Sequence, residues 1–321
     1  MKNIIRLFML SLITVMFFMG CEDPVKTKAD FQQNYVLNSV IRGDTSFQVA
    51  TVLKNYDVPG LDPNVNTQSQ FIEGSIIRLW YKDTVYFMRD SLVFDPVVHR
   101  YDDPYKFYYI DGFRPDAGSY IEIEALLPNG KRLSSSTRLP ERINFSEDSD
   151  YLIPPENGKT VTIRWKTERN GLMFLPRLTL RYNQIVEGVE VAKTVIVPAQ
   201  FLNRNGVTDP YYPQASKETG IVYEFSVIDK VLQDISAEDE NKGNFEIIHL
   251  YLEIATFDEN LTSYYSSTNN IVNEYSIRLD ELDVTNIDGG LGIFCSYIKN
   301  GVVIYFDELY IKKYGYKLGT N

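Results

Sequence analysis

The chain has 321 residues, with 43 acidic against 32 basic side chains, a formal net charge of −11, two histidines and two cysteines. So acidic a surface argues against nucleic acid and anionic lipid as partners. With 44% hydrophobic and 13% aromatic residues the chain can fill a core, which excludes global disorder.

Residues 1–20 have the layout of a secretory signal. Lys2 and Arg6 form a short positive region, Leu7 to Gly20 is apolar apart from Ser11 and Thr14, and a small residue, Gly20, precedes Cys21. The apolar run is shorter than the roughly 20 residues needed to cross a bilayer. "FFMGC" is similar to a bacterial lipobox, although Phe18 stands where leucine is usual. In that reading the chain is cut before Cys21, whose thiol and amine are acylated. A single acyl chain binds a membrane marginally and two or more hold it stably, so Cys21 is the expected lipid anchor. Residues 21–33 form a polar tether. Without Lys2 and Arg6 the 32 basic residues become 30 against 43 acidic, a net charge of −13. With Cys21 acylated, Cys295 has no partner, so no disulfide and no thiolate metal site are expected.

Beyond the tether, alternation dominates over helical spacing. In "SYIEIEALLPNGKRLSSST", Ile121, Ile123, Ala125 and Leu127 share one face and Glu122 and Glu124 the other, and Asn129-Gly130 is a strong hairpin signal. "LPERINFSEDSDYLIPPENGK", rich in proline and acids, breaks the alternation and suggests a boundary near residues 140–160. After it, Val161, Ile163 and Trp165 in "TVTIRWK" and Leu178, Leu180 and Tyr182 in "LTLRY" point inward. In "VIDKVLQDI", Ile228, Val231, Leu232 and Ile235 fall on one helical face. "FEIIHLYLEIA" places Ile248, Leu250, Leu252 and Ile254 on one aliphatic face. "DENLTSYY" reads as a short helix capped by Asp258. "LGIFCSYIKNGVVIYF" reads as a hairpin turning at Asn300-Gly301, with Cys295 a buried apolar residue.

The predicted fold is therefore mainly β: an antiparallel β-sandwich, with an immunoglobulin-like part over residues 34–145 and a second β-rich region with one or two short helices over residues 155–321.

The early strand "NYVLNSVIRGDTSFQVATVLKNY", "FIEGSIIRLWYKDTVYF", "GSYIEIEALLPNGKRLSSS" and "TNIDGGLGIFCSY", in that order after Cys21, resemble domain-of-unknown-function family 4249, a group of Bacteroidetes lipoproteins. The resemblance spans nearly the whole mature chain. It implies an outer-membrane lipoprotein, often encoded beside TonB-dependent receptors, and it carries over no catalytic residues. In such bacteria, acids following the lipidated cysteine resemble a surface-export signal; Glu22 and Asp23 fit and Pro24 cuts the match short. "DTV" and "DSL" resemble the short O-glycosylation motif of the same group and make Thr84 and Ser91 candidate acceptors.

Residues with chemistry are sparse. HExxH, GxSxG and P-loop patterns are absent from the sequence. His249 lies opposite the aliphatic face of its strand, with Glu253 too far along to orient the ring; His99 falls in the loop "VVHRYDDPY". Gly289, Gly290 and Gly292 precede a strand rather than the helix a phosphate cradle needs, which favours a tight turn and bulge. Asp280, Glu281, Asp283, Asn286 and Asp288 are rich in oxygen but lack the alternation of an EF-hand loop. The acids of "SEDSDY" suit a solvated loop. Most of the 23 tyrosines sit in strands, where aromatics pack. Tyr211 and Tyr212 in "DPYYP", held between prolines in a predicted loop, suit contact with a protein or glycan.

No cofactor or metal site is expected. The leading expectation is a non-enzymatic surface binding module, tethered to the outer membrane through Cys21, accessory to a TonB-dependent receptor and taking a glycan or peptide ligand. The alternatives are an envelope hydrolase using paired carboxylates, which needs no histidine, and a structural or adhesive subunit.

Overall fold

The structure is a computed structural model and describes residues 31–58, 62, 65–66, 69–93, 105–156, 158–204, 207–239, 241–269 and 284–319. The signal, Cys21, His99, Asp280, Glu281 and Asp283 lie outside the described residues.

In chain order the strands are β1 (Tyr35–Arg42), β2 (Gln48–Lys54), β3 (Ile76–Tyr81), β4 (Thr84–Phe87), β5 (Arg89–Val93), β6 (Tyr105–Ile110), β7 (Tyr120–Leu126), β8 (Arg132–Arg138), β9 (Asn144–Phe145), β10 (Leu152–Ile153), β11 (Thr160–Lys166), β12 (Phe174–Val186), β13 (Val189–Val197), β14 (Gln200–Arg204), β15 (Val207–Tyr211) and β16 (Gly220–Glu224). Helix α1 (Phe225–Asp234), β17 (Phe245–Phe257), α2 (Glu259–Asn269), β18 (Leu291–Phe306), α3 (Glu308–Lys312) and β19 (Lys317–Leu318) complete the chain. No helix among the described residues is long and apolar enough to cross a membrane.

A long sheet runs β13-β12-β17-β18-β1-β2-β6-β5, and a second sheet runs β4-β3-β7-β8. The two close over a first core. Leu37, Ile41 and Val52 of the long sheet meet Ile77, Leu79, Ile121, Ile123 and Leu133 of the other, all fully buried or nearly so. The second core lies under β12, β17 and the end of β18, facing β11, β16, α1 and α3. Trp165, Tyr223, Leu232 and Ile311 meet Leu178, Leu250 and Leu252 there. The architecture is thus a β-sandwich with a second β-rich part. Most pairings are antiparallel; β18 runs parallel to β1 and β10, and β19 parallel to β17.

The turn expected at Asn300-Gly301 does not form. β18 runs unbroken for 16 residues and serves both cores. Its first half pairs with β1, from Leu291 opposite Val36 to Tyr297 opposite Arg42. Its second half pairs with β17, down to Ile304 opposite Leu250. Phe294 accordingly joins the first core, and Ile304 and Phe306 the second. Gly301 gives room rather than a turn, because the ring of Tyr251 lies over it.

The aliphatic face expected on β17 also shifts. Arg181 of β12 stands opposite His249 and Tyr182 opposite Ile247, so Ile248 is an extra residue in a bulge. The bulge turns Phe245 and Ile247 into the core together with Leu250, Leu252 and Ile254, and leaves Ile248 half-buried on the other side. The stretch read as a boundary is folded too. Ile143 and Ile153 enter the second core, and β9 and β10 pair with β11 and β18.

Other expectations match. The inward residues of β7, β11 and β12 are buried, Ile228, Val231 and Leu232 of the expected helical face are buried with Ile235 half-buried at the end of α1, and Asp258 caps α2 through a bond from the Leu261 N–H at 2.7 Å. Helix α3 was not predicted from the sequence, although its signals are present. Asp307 accepts the Tyr310 N–H at 3.0 Å, and Glu308 pairs with Lys312 one turn on at 2.6 Å.

Candidate functional site

β7 and β8 alternate, so residues that do not enter the core face outward together. Tyr120, Glu122 and Glu124 project from β7, and Ser134 and Ser136 from β8, opposite Glu124 and Glu122. On the far side β3 puts Trp80 beside Glu122 and Arg78 beside Glu124. Serines have short side chains, so β8 becomes a floor between taller neighbours.

The opposite wall comes from distant sequence. Asp288 bonds both ways with the backbone of Ser134, at 3.1 and 2.8 Å, which extends the sheet past β8. The turn behind it needs glycine: Gly289 has φ +82°, and a Cβ there would stand 2.3 Å from the Arg132 carbonyl. Gly292, at φ +110°, lets β18 approach the Leu37 carbonyl, which a Cβ would meet at 2.1 Å. These glycines close the sandwich: the expected turn forms at Gly289 and Gly290, whereas β18 pairs with β1 in unbroken register through Gly292, without the expected bulge.

Two asparagines hold the wall. The Asn286 side chain donates to the Phe294 carbonyl at 2.7 Å and accepts its N–H at 2.8 Å. Asn260, in the first turn of α2, donates to the carbonyls of Ser136 at 3.0 Å and Phe294 at 3.1 Å. The result is a groove of about 510 Å³, within the size range of small-ligand sites. Past Tyr120 it continues into a recess of about 170 Å³ beside Arg138, Arg169 and Asn260.

The charges in the groove differ in their partners. Glu124 is held by Arg78 at 3.8 Å and by Arg132 at 3.3 Å. Among the described residues Glu122 and the Asp288 carboxylate have no protein partner, and neither do the hydroxyls of Ser134 and Ser136. Tyr120 is 54% exposed.

Behind the recess Asp258 is 3% exposed. It accepts from the hydroxyls of Thr137 and Ser296, the latter at 3.1 Å, and from the Ser296 N–H at 2.9 Å. Burial pushes its carboxyl up to about 6, against these bonds, which favour the charged form. Cys295 is free and fully buried, and burial raises its thiol well above the usual range, with the Asp258 charge adding to the rise. That suits an apolar role rather than a nucleophile.

Of the residues singled out from the sequence, Asn286 and Asp288 of the oxygen-rich stretch line the groove; the other described ones lie elsewhere. Tyr211 is not in a loop: it ends β15, opposite Gln200 of β14, and is 39% exposed. Pro210 sits opposite Phe201 near the open end of the hairpin, where its missing N–H is tolerated and β15 still pairs on to Tyr211. Tyr212 follows it and lines an apolar recess of about 300 Å³ with Phe201, Val231 and Ile235. Thr84 starts β4 and is exposed; Ser91 lies in β5 opposite Phe107 and is half-buried. His249 lines a separate recess with Ile248 and Arg181. Among the described residues no three His, Cys, Asp or Glu side chains converge on a metal position. The groove residues carried one sequence signal that was passed over. Three successive serines, Ser134 to Ser136, stand in the middle of a strand, where β-branched and aromatic residues are usual.

No protein-family model matches the chain, and no curated protein matches it. Among solved structures, the full ectodomain (Ig1–Ig3) of mouse nectin-like molecule 4 aligns at 11% identity with a TM-score of 0.18, over 85% of this chain and 64% of its own. The chain thus spans less than two thirds of that ectodomain. At that score the alignment carries no argument, and the β-sandwich assignment rests on the sheets and cores themselves.

Proposed function

We propose that this chain is a non-enzymatic binding module of the bacterial cell envelope, anchored in the outer membrane through Cys21, displayed at the cell surface and accessory to a TonB-dependent transporter. The supports are the signal and lipobox layout, the family resemblance, and the acidic surface. The observation that carries the binding role is the groove, in which, among the described residues, the Ser134 and Ser136 hydroxyls and the Glu122 and Asp288 carboxylates have no protein partner. Glu122 and Asp288 are exposed and Ser134 and Ser136 half-buried, so water meets these groups in the open groove, and a ligand that reproduces its hydrogen bonds on this rigid sheet can take its place. The test is a pull-down from native membranes using a tag after Asn321, which leaves the anchor intact. Stoichiometric recovery of a TonB-dependent receptor is the expected result. Recovery of the lipoprotein alone, in detergent that preserves known transporter complexes, counts against the accessory role.

One observation favours a second reading, an envelope hydrolase. Glu122 and Glu124 stand two apart on β7 and line one groove, with their backbones roughly 6 to 7 Å apart along the strand, so this strand can supply both carboxylates of a glycosidase-type pair. Release of reducing ends from oligosaccharides that Glu122→Gln abolishes would move the chain into that class.

A further inference from the structure

We propose that the serine-floored groove takes a neutral saccharide, with the Glu122 and Asp288 carboxylates accepting from sugar hydroxyls and the exposed ring of Tyr120 covering an apolar face of the sugar. This rests on the reading of the groove as the ligand face and names what enters it.

The balance of donors and acceptors points to hydroxyls. Glu122 and Asp288 offer acceptors on opposite walls. Both N–H groups of Asn260 are consumed by the carbonyls of Ser136 and Phe294, so only its Oδ1 faces outward as an acceptor. The free hydroxyls of Ser134 and Ser136 donate or accept by rotation. A ligand with many hydroxyls satisfies both kinds, and its bonds to the two carboxylates are charge-assisted. Tyr120 gives a flat, half-exposed ring beside these groups, and such rings combine an apolar face with a polar tip.

Other ligand classes fit less well. A wholly apolar ligand would strand the two carboxylates. Uronates, phosphates and other anions meet unpaired Glu122 and Asp288 on a chain of net charge −11, while Arg138 and Arg169 in the adjoining recess are already paired with Glu141 and Glu259. A peptide strand needs a free sheet edge, and at this wall the edge of β8 is already paired at Ser134 by Asp288. The floor also sets the depth: Ser134 and Ser136 are the small residues in their cross-strand rows, so a sugar ring can lie on them between the walls.

The test is direct binding of the whole mature chain to three probe sets: short neutral oligosaccharides of hexose, pentose and N-acetylhexosamine; the same sizes carrying uronic acid; and lysine-rich peptides. Glu122→Gln keeps shape and removes charge, Tyr120→Ala removes the ring, and Ser136→Phe fills the floor. Unchanged melting temperatures establish that each variant folds. The expected result is binding in the neutral set alone, weakened about tenfold by Glu122→Gln and abolished by Ser136→Phe. Binding of lysine-rich peptides that Ser136→Phe abolishes would overturn the saccharide and leave the groove as the site. Binding of any set that Ser136→Phe leaves unchanged would overturn the groove itself. Absence of binding in the neutral set at millimolar concentration would overturn the saccharide assignment.

Discussion

The ring of Tyr251 on β17 lies over Gly301 on β18, so close that a Cβ on Gly301 would stand 2.0 Å from the tyrosine oxygen. Arg181 in turn covers the same ring at 4.8 Å. The aromatic ring fills the space the glycine leaves, and the strand can run straight through a position that otherwise weakens it.

Gly301→Ala is therefore expected to destabilise the fold by about 1 to 3 kcal/mol, as overpacking does, although alanine is ordinarily the better strand residue. In a Tyr251→Leu background the same substitution should cost little, so a double-mutant cycle from urea denaturation reads the contact. Gly292→Ala is expected to cost more than Gly301→Ala, because it meets the Leu37 carbonyl at φ +110° rather than a movable ring. Equal costs would remove the distinction between backbone and side-chain contact.

Asp258 sets a pH dependence. Its folded carboxyl titrates at about 6, above the ordinary aspartate value, with burial as the largest cause. The folded chain then holds a proton that the unfolded chain has released. The resulting stability is fully present below the unfolded value and is lost as pH rises through about 6. The contribution is on the order of 3 kcal/mol. Urea midpoints of the wild type should fall relative to those of Asp258→Asn between about pH 4 and about pH 7; a gap that widens in the other direction overturns this.

Anchoring is expected to depend on Cys21 alone. Cys21→Ser should lose label from radioactive fatty acid and leave the detergent-soluble membrane fraction for the aqueous one. Retention of both by the variant would sink the lipoprotein reading.

The two candidate glycosylation acceptors are not equivalent. Thr84 is exposed at the start of β4, whereas Ser91 is half-buried in β5 opposite Phe107. Intact-mass measurement in the native host should show glycan mass lost in Thr84→Ala and kept in Ser91→Ala.

What the sequence determined by itself was local. The alternation of Ile121, Ile123 and Ala125 defined a half-buried strand, and Asn129-Gly130 its turn, because a strand's side chains repeat every two residues. The faces of α1, the Asp258 cap and the burial of Cys295 follow from equally short-range rules. The tertiary structure decided whatever depended on a neighbour. Asn300-Gly301 has the composition of a turn, yet β18 continues because one half has β1 to pair with and the other has β17. The bulge at Ile248 reflects the register against Arg181 and Tyr182, which no window on β17 contains. The groove is the extreme case: the Ser135 hydroxyl meets the Asn286 carbonyl, 151 residues away, at 2.6 Å. Its floor was visible as a run of serines, but its far wall exists only because glycines at 289 and 292 let a distant segment lie against β8 and β1.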